Sequence, residues 1–387
     1  MASTKEFFKK KKEWSNYKDA LLGSYILPYF NKIMSTGVEV VYIDGFAGKG
    51  KFDDGTSGSP LLVKEKIYQA KANSKYNTKI TPYFVEYEHA VALRSNLCDA
   101  SMNVVEGDYR SEVPNILKNS VRKNIFLYVD PFGIKYLDFS IFTQLNPQKY
   151  NSVELLLNFN SFGFLREGCR LLKLNMEHIE DELPDFSIES NDFKNDIANM
   201  NKIANGDYWQ DILSDYNAGK IDIFQAEKLF LHKYMLELRK TFNYVCRIPI
   251  RHSKSKLSKY QMIFATNNKH GIILMADNMI ACNNKMAIDI NGGQPCLFDY
   301  EFRVADCESF IKDEFPDEYM ELKDFYSSLY RKKGFLYLTK DMNNAIKNLE
   351  ENGEIDIVRY PATTKTGKVS RSMNFYQNII KIKRKQV

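Results

Sequence analysis

Five short apolar runs between residues 40 and 160 constrain this chain more than any other feature: Val40–Ile43, Pro82–Val85, Val104–Val105, Asn124–Val129 and Val153–Asn160. Short continuous apolar runs bounded by turn residues read as buried strands. Helix-like stretches such as Tyr87–Cys98 separate them, and such alternation builds a parallel sheet covered on both faces. Two further strand candidates, Tyr244–Ile250 and Gln261–Thr266, flank the polar, basic segment Arg251-His-Ser-Lys-Ser-Lys-Leu-Ser-Lys259, which reads as a hairpin. The expectation is an α/β, Rossmann-like seven-stranded sheet, with five alternating strands closed by a hairpin.

Where the runs end matters as much as where they lie. The first delivers Asp44-Gly-Phe-Ala-Gly-Lys-Gly50, in which Gly45, Gly48 and Gly50 permit tight backbone turns and close approach of a ligand, with Asp44 at the mouth. Two cofactors compete for this loop. Gly45 to Phe52 fits the P-loop phosphate pattern except at Phe52, where a Ser or Thr hydroxyl is required, and Ile125–Asp130 resembles the acid-tipped strand of such an NTPase. The other reading is an S-adenosylmethionine (SAM) loop, with Asp44, Gly45, Phe46, Gly48 and Gly50 around the cationic methionine end.

The later strand ends favour SAM. Glu86 stands where a carboxylate accepts both ribose hydroxyls, although it lies further along than the usual ~20 residues. Thr56-Ser-Gly-Ser-Pro60, read as an extended turn into an N-capped helix, accounts for the extra length. Asp108, after the third strand, is placed to meet the adenine amine. The fourth strand delivers Asp130-Pro-Phe-Gly133. An aromatic amine has its lone pair delocalised into the ring. An acceptor on the amine hydrogen, either Asp130 Oδ or the Asp130–Pro131 main-chain carbonyl, draws the nitrogen toward sp³ geometry for in-line attack. Phe132 stacks on the base, and Pro131 fixes φ and removes a competing donor. Asp130, Pro131 and Phe132 are therefore the catalytic candidates. Asn158 and Phe159 end the fifth strand, where either packing or a place on the substrate side is open to them.

The chain resembles the three-Cys-motif partner proteins (TcmP). The resemblance runs through Trp14, Lys18 and Tyr25, then Tyr42-Ile-Asp-Gly-Phe-Ala-Gly-Lys-Gly50, Gly58-Ser-Pro60, Val129-Asp-Pro-Phe-Gly133, Leu157-Asn-Phe159 and Met262-Ile-Phe-Ala-Thr-Asn-Asn-Lys-His-Gly271. It implies a SAM-methyltransferase fold and a radical-SAM-like partner protein. Gly45 departs from the apolar residue, such as Leu, expected there in relatives. Asp130-Pro-Phe-Gly133 is also similar to the motif of the tRNA guanine-N2 dimethyltransferases, which points to an exocyclic amine.

Charge bears on the partner. Residues 331–387 hold 13 Lys or Arg against 5 acids, and residues 1–13 hold 5 Lys against 2 Glu, so both ends are basic while the whole chain is only +5. Basic appendages on such a core suggest a polyanion, RNA or DNA. Met342, Ala345, Ile346 and Leu349 suit a capped amphipathic helix from Thr339 to about Gly353. Glu354–Tyr360 and Met373–Ile382 then read as strands around a basic tip. That order is winged-helix-like, with Lys347, Lys365, Lys368 and Arg371 set to touch phosphates; Phe375 and Tyr376 read as core.

The expected organisation is a basic N-terminal helical segment (1–35), a SAM-binding core (36–164), a helical insertion (165–240), the end of the core sheet with its late hairpin and a helix (241–290), and the C-terminal domain (291–387). The insertion carries Glu177, Glu180, Asp181, Glu182 and Asp185, and serves as a lid or a partner surface. Six scattered cysteines without a CxxC pair and five histidines without metal-ligand spacing predict free thiols and no metal. The Lys9–Lys12 run is not followed by an apolar stretch, so neither a signal peptide nor a membrane span is expected, and the cytoplasm is the expected location.

Overall fold

A computed structural model describes residue 11 and residues 13–174, 196–251, 258, 260–293, 307–335 and 337–385. The five insertion acids and most of the 251–259 connection lie outside the described residues. The chain divides into two compact units, Met1–Asn267 and Asn268–Val387.

In the first unit, strands β1 (Val40–Asp44), β2 (Ile80–Glu86), β3 (Asn103–Glu106), β4 (Asn124–Val129), β5 (Ser152–Phe159), β6 (Tyr244–Ile250) and β7 (Tyr260–Thr266) form one sheet in the order β3-β2-β1-β4-β5-β7-β6. The first five pair in parallel, and β7 runs antiparallel between β5 and β6. This is the sheet that the apolar runs predict, with strand ends moved by a residue or two.

Both faces of the sheet are covered, which is why β1 and β4 are buried along their whole length. Side chains alternate across a strand. One face of the sheet carries Tyr42, Phe84 and Phe126, against which α1 (Glu13–Ile33) lays Tyr25, Tyr29 and Phe30. The ring centroids of Tyr42 and Phe126 are 5.8 Å apart and nearly parallel. Tyr25 also donates to Glu154 of β5 at 2.6 Å, in an environment whose burial pushes that carboxyl up to about 8. Fully burying side chains of this size stabilises by roughly 1.5–3 kcal/mol each, so α1 is integral to the unit.

The opposite face presents Val41, Ile43, Ile125, Leu127, Leu155 and Leu157 to helices that include α4 (Tyr109–Lys118), α6 (Ser161–Leu172), α8 (Tyr208–Asn217) and α9 (Ile223–Leu238). Phe159 is fully buried there, its ring 4.7 Å from that of Tyr234. Of its two open roles, packing is the one it takes. The remaining helices of the unit are α2 (Ser59–Asn73), α3 (Ala90–Leu97), α5 (Phe139–Thr143) and α7 (Ile197–Ala204).

The second unit begins with α10 (Lys269–Ile290), followed by α11 (Cys307–Lys312), β8 (Met320–Glu321), α12 (Leu322–Lys333), α13 (Thr339–Glu351), β9 (Ile355–Tyr360) and β10 (Ile379–Arg384). Its antiparallel sheet has the order β8-β10-β9. The helix α10, grouped with the sheet in the sequence reading, clusters with this unit because its apolar stripe, including Ile272, Met275 and Met279, is buried and it packs on α12. The helix α13 starts at Thr339 without a side-chain cap. The last strand lies later than the run Met373–Ile382 predicts, because pairing with β9 begins at Ile379 opposite Tyr360. Phe375 is buried as expected, whereas Tyr376 is 45% exposed.

Candidate functional site

Consecutive crossovers run to one side from β1 through β2 to β3, and to the other from β4 to β5. The order therefore reverses between β1 and β4, and the carboxyl ends of strands flanking such a switch point open onto a crevice that holds ligands. Asp44 and Asp130 both sit there: Asp44 is in register with Tyr128, and Asp130 follows β4 directly. Glu86 ends the neighbouring β2.

The glycine loop is stitched across these strand ends. Gly45 N donates to Tyr128 O at 2.9 Å and Ala47 N to Val85 O at 3.0 Å. Phe46 N donates to Asp44 Oδ1 at 3.1 Å and Gly48 N to Glu86 Oε2 at 2.8 Å. A P-loop needs free amides to cradle phosphate, and here four successive N–H groups are committed to protein oxygens. The chain then makes a small excursion, bridged from Lys51 to Ser57, before α2 starts at Ser59. These features, and three acids at the mouth, argue against the P-loop alternative.

Glycine is required at Gly48 and Gly50, whose φ angles are 62° and 76°. At Gly45 the constraint is space: an added Cβ would lie 2.7 Å from the Tyr109 ring. That ring also stacks on Phe46, 4.7 Å away, so it fills the volume that an apolar residue at position 45 would take.

Asp44 is fully buried. Its Oδ1 accepts from Phe46 N, and its Oδ2 accepts from Ser59 Oγ at 2.7 Å. The Ser59 hydroxyl therefore holds Asp44 and does not cap α2, whose N-cap is Gly58 with no side-chain bond. Burial pushes the Asp44 carboxyl up to about 7, the two hydrogen bonds oppose this, and the nearby charges of Asp130 and Glu86 add to it. A buried acid so placed, with one acceptor position open on each oxygen, suits a cationic ligand.

Glu86 accepts from Gly48 N through Oε2 and from the Glu88 and His89 amides, each at 3.0 Å, through Oε1. It ties the first loop to the second and retains one acceptor position on Oε2. Asp108 caps α4 and is gripped by Arg110, with Nη2 at 2.8 Å and Nε at 3.0 Å. This guanidinium holds the Asp108 carboxyl below its ordinary range.

Asp130 has the densest set of partners. Lys18 Nζ from α1 donates to Oδ1 at 2.8 Å and to Oδ2 at 2.7 Å. Asn158 Nδ2 from β5 donates to Oδ1 at 2.6 Å, and the Tyr128 hydroxyl to Oδ2 at 3.2 Å. Lys18 Nζ also lies 5.1 Å from the centroid of the Tyr260 ring. Pro131 is buried, while Phe132 is 45% exposed. The start of α1 is fastened nearby: Lys11 Nζ pairs with Asp19 at 2.5 Å and donates to Ser57 O at 2.9 Å. Lys18, Ser59 and Tyr128 were not among the sequence-derived site residues. Lys18 appeared only within the family resemblance, and no local pattern marks a lysine 112 residues away from its partner.

In the second unit, the connection between β9 and β10 folds back on itself, with Thr363 bridging Val369 and Gly367 turning the tip with φ 79°. Lys365 and Lys368 are exposed there, Lys347 is half-buried on α13, and Arg371 pairs with Glu351 at 3.4 Å. Among the described residues, no three His, Cys, Asp or Glu side chains are grouped to hold a metal ion, and no helix is long and apolar enough to cross a membrane.

No protein-family model and no curated protein matches the chain. Among solved structures, it is similar to the plantazolicin methyltransferase BamL in complex with a triazolic desmethylPZN analog and SAH. That likeness has 12% identity and a TM-score of 0.28, and covers 66% of this chain and 88% of that one. It is also similar to a loganic acid methyltransferase with SAH, at 8% identity and a TM-score of 0.24, over 97% of this chain and 98% of that one. At these scores the fold rests on the strand order and the site on its own side chains.

Proposed function

We propose that this protein is a SAM-dependent methyltransferase acting on an exocyclic base amine of nucleic acid, with a winged helix as its C-terminal unit. The observation that carries the reading is the convergence of Asp44, Glu86 and Asp130 at the switch point of a sheet whose seventh strand is reversed. The acids suit the chemistry of the cofactor: Asp44 and the glycine loop hold the cationic methionine end, Glu86 the ribose through its open Oε2 position, and Asp108 with Arg110 the adenine. When bound, SAM supplies the methyl group, which the amine lone pair takes as the carbon–sulfur bond breaks and the N–H proton passes to water. The Asp130–Pro131 turn presents the acceptor that orients the amine, and exposed Phe132 stacks on the base.

The order α11, β8, α12, α13, β9, β10 with a basic-tipped hairpin supports the winged helix, and Lys347, Lys365 and Lys368 with Arg371 would meet phosphates. RNA and DNA are both open as substrates. The experiment is to incubate the protein with methyl-labelled SAM and total RNA or DNA from a host lacking the gene, and to identify any labelled nucleoside. A labelled base amine supports the reading; label at a ring carbon, a ribose or a protein contradicts its substrate.

One observation favours a second reading, a non-catalytic nucleic-acid-binding or scaffolding partner, of the kind that association with a radical-SAM-like protein would need. The Asp130 carboxylate is already occupied by protein donors. SAM binding without transfer to any nucleic acid would favour that role instead.

A further inference from the structure

The partners of Asp130 exhaust it. A carboxylate offers about four acceptor positions; Oδ1 takes Lys18 Nζ and Asn158 Nδ2, and Oδ2 takes Lys18 Nζ and the Tyr128 hydroxyl. Lys18 is just as fully engaged, with both carboxylate oxygens and the Tyr260 ring face around its ammonium and only 7% of its side chain exposed. Charge and lone pairs are closed together. A substrate amine that hydrogen-bonded to this carboxylate would have to displace a buried ammonium and leave it unpaired.

We infer that Lys18 is a positioning residue that neutralises and locks the Asp130 side chain, and that the acceptor for the substrate amine is the Asp130 main-chain carbonyl. The inference rests on the exocyclic-amine reading above. Its physical content is that Asp130 acts through where it holds its own backbone. Lys18 pins the carboxylate from α1, Asn158 from β5 and Tyr128 from β4, so the turn at Asp130–Pro131 is fixed by three elements. Proline fixes φ after that carbonyl and brings no N–H of its own to the peptide. The paired ammonium also cancels a negative charge that would otherwise sit beside Asp44 in a site for a cationic cofactor.

The test uses the full-length protein and the variants K18M, D130N and K18M/D130N, with two readouts. The first is the affinity ratio for SAM over its uncharged product SAH, measured by titration calorimetry. K18M bares a carboxylate and should raise the ratio at least threefold; D130N bares an ammonium and should lower it by as much; the double variant should return to within twofold of wild type. A solely structural role would weaken both ligands alike and leave the ratio unmoved. The second is turnover with methyl-labelled SAM: the double variant should recover at least tenfold over D130N, and so should K18M/D130L, which removes the side-chain acceptor that an amide keeps; recovery in K18M/D130N but not in K18M/D130L would make the side chain the acceptor and overturn the inference. A double variant no more active than D130N, with the wild-type affinity ratio, overturns the inference, because the carboxylate itself would then be needed. If wild-type protein transfers no methyl group, the functional reading and the acceptor assignment fail together, and the affinity arm still decides the role of Lys18. A double variant that keeps the low ratio of D130N would overturn the charge closure.

Discussion

Replacing Asp44 by Asn should change how the stability of the first unit depends on pH more than it changes stability itself. Burial raises the Asp44 carboxyl from its ordinary 3.8 to about 7 in the folded protein. In the unfolded chain the group is exposed and ordinary, so between about pH 4 and 7 the native state binds the proton that the unfolded state has lost. Stability must therefore fall as pH rises through this window and level off above it. Each pKa unit corresponds to about 1.4 kcal/mol, so wild type should lose about 3 kcal/mol between pH 5 and 8 that Asp44→Asn does not lose. The amide of the variant also gives up part of the bonding to Phe46 N and Ser59 Oγ, but that loss is independent of pH and cancels when slopes are compared. Both tryptophans, Trp14 and Trp209, lie in the first unit. Urea unfolding followed by tryptophan fluorescence at pH 5, 6, 7 and 8 thus reads the relevant unit. Parallel pH curves for wild type and variant would refute the upward shift that burial gives Asp44.

Three further outcomes follow from the same structure. If Asp44 must be ionised to hold a sulfonium cofactor, a pKa of about 7 in the free protein makes SAM bind about tenfold more tightly at pH 8 than at pH 6; calorimetry in buffers of different ionisation enthalpy should detect the released proton, and Asp44→Asn should abolish the dependence. Gly45→Ala should destabilise the first unit by about 1–3 kcal/mol, since the added methyl meets the Tyr109 ring at 2.7 Å; an unchanged unfolding midpoint would show that the ring yields freely. Lys365→Ala with Lys368→Ala should weaken nucleic-acid binding and lower the slope of log affinity against log salt by about 2, as expected for two lost phosphate contacts; titrations at several salt concentrations giving the wild-type slope would place the phosphates elsewhere.

Much of the sheet was legible because its signal is local. A run such as Asn124–Val129 is apolar on both faces, and only a strand covered by helices on both sides needs that pattern. Failures occurred where pairing overrode propensity. Met373–Asn378 has strand-like residues, yet the register between Tyr360 and Ile379 leaves those residues in the connection. The Thr56–Pro60 turn read as leading into an N-capped helix, but the Ser59 hydroxyl bonds a buried acid and the N-cap, Gly58, has no side-chain bond.

The sequence by itself determined the strands, their acidic ends and the glycine loop, because burial, turn geometry and hydrophobic period are written within a few residues of one another. It did not determine what those acids touch. Lys18 reaches Asp130 because α1 lies across one face of the sheet, Asn158 reaches it because β5 pairs with β4, and Glu86 meets Gly48 because β2 lies beside β1. A hydrogen bond between residues far apart in the chain has no period to announce it. Only the tertiary structure decided that Asp130 is a closed ion pair and Asp44 a fully buried acid held by Phe46 N and Ser59 Oγ.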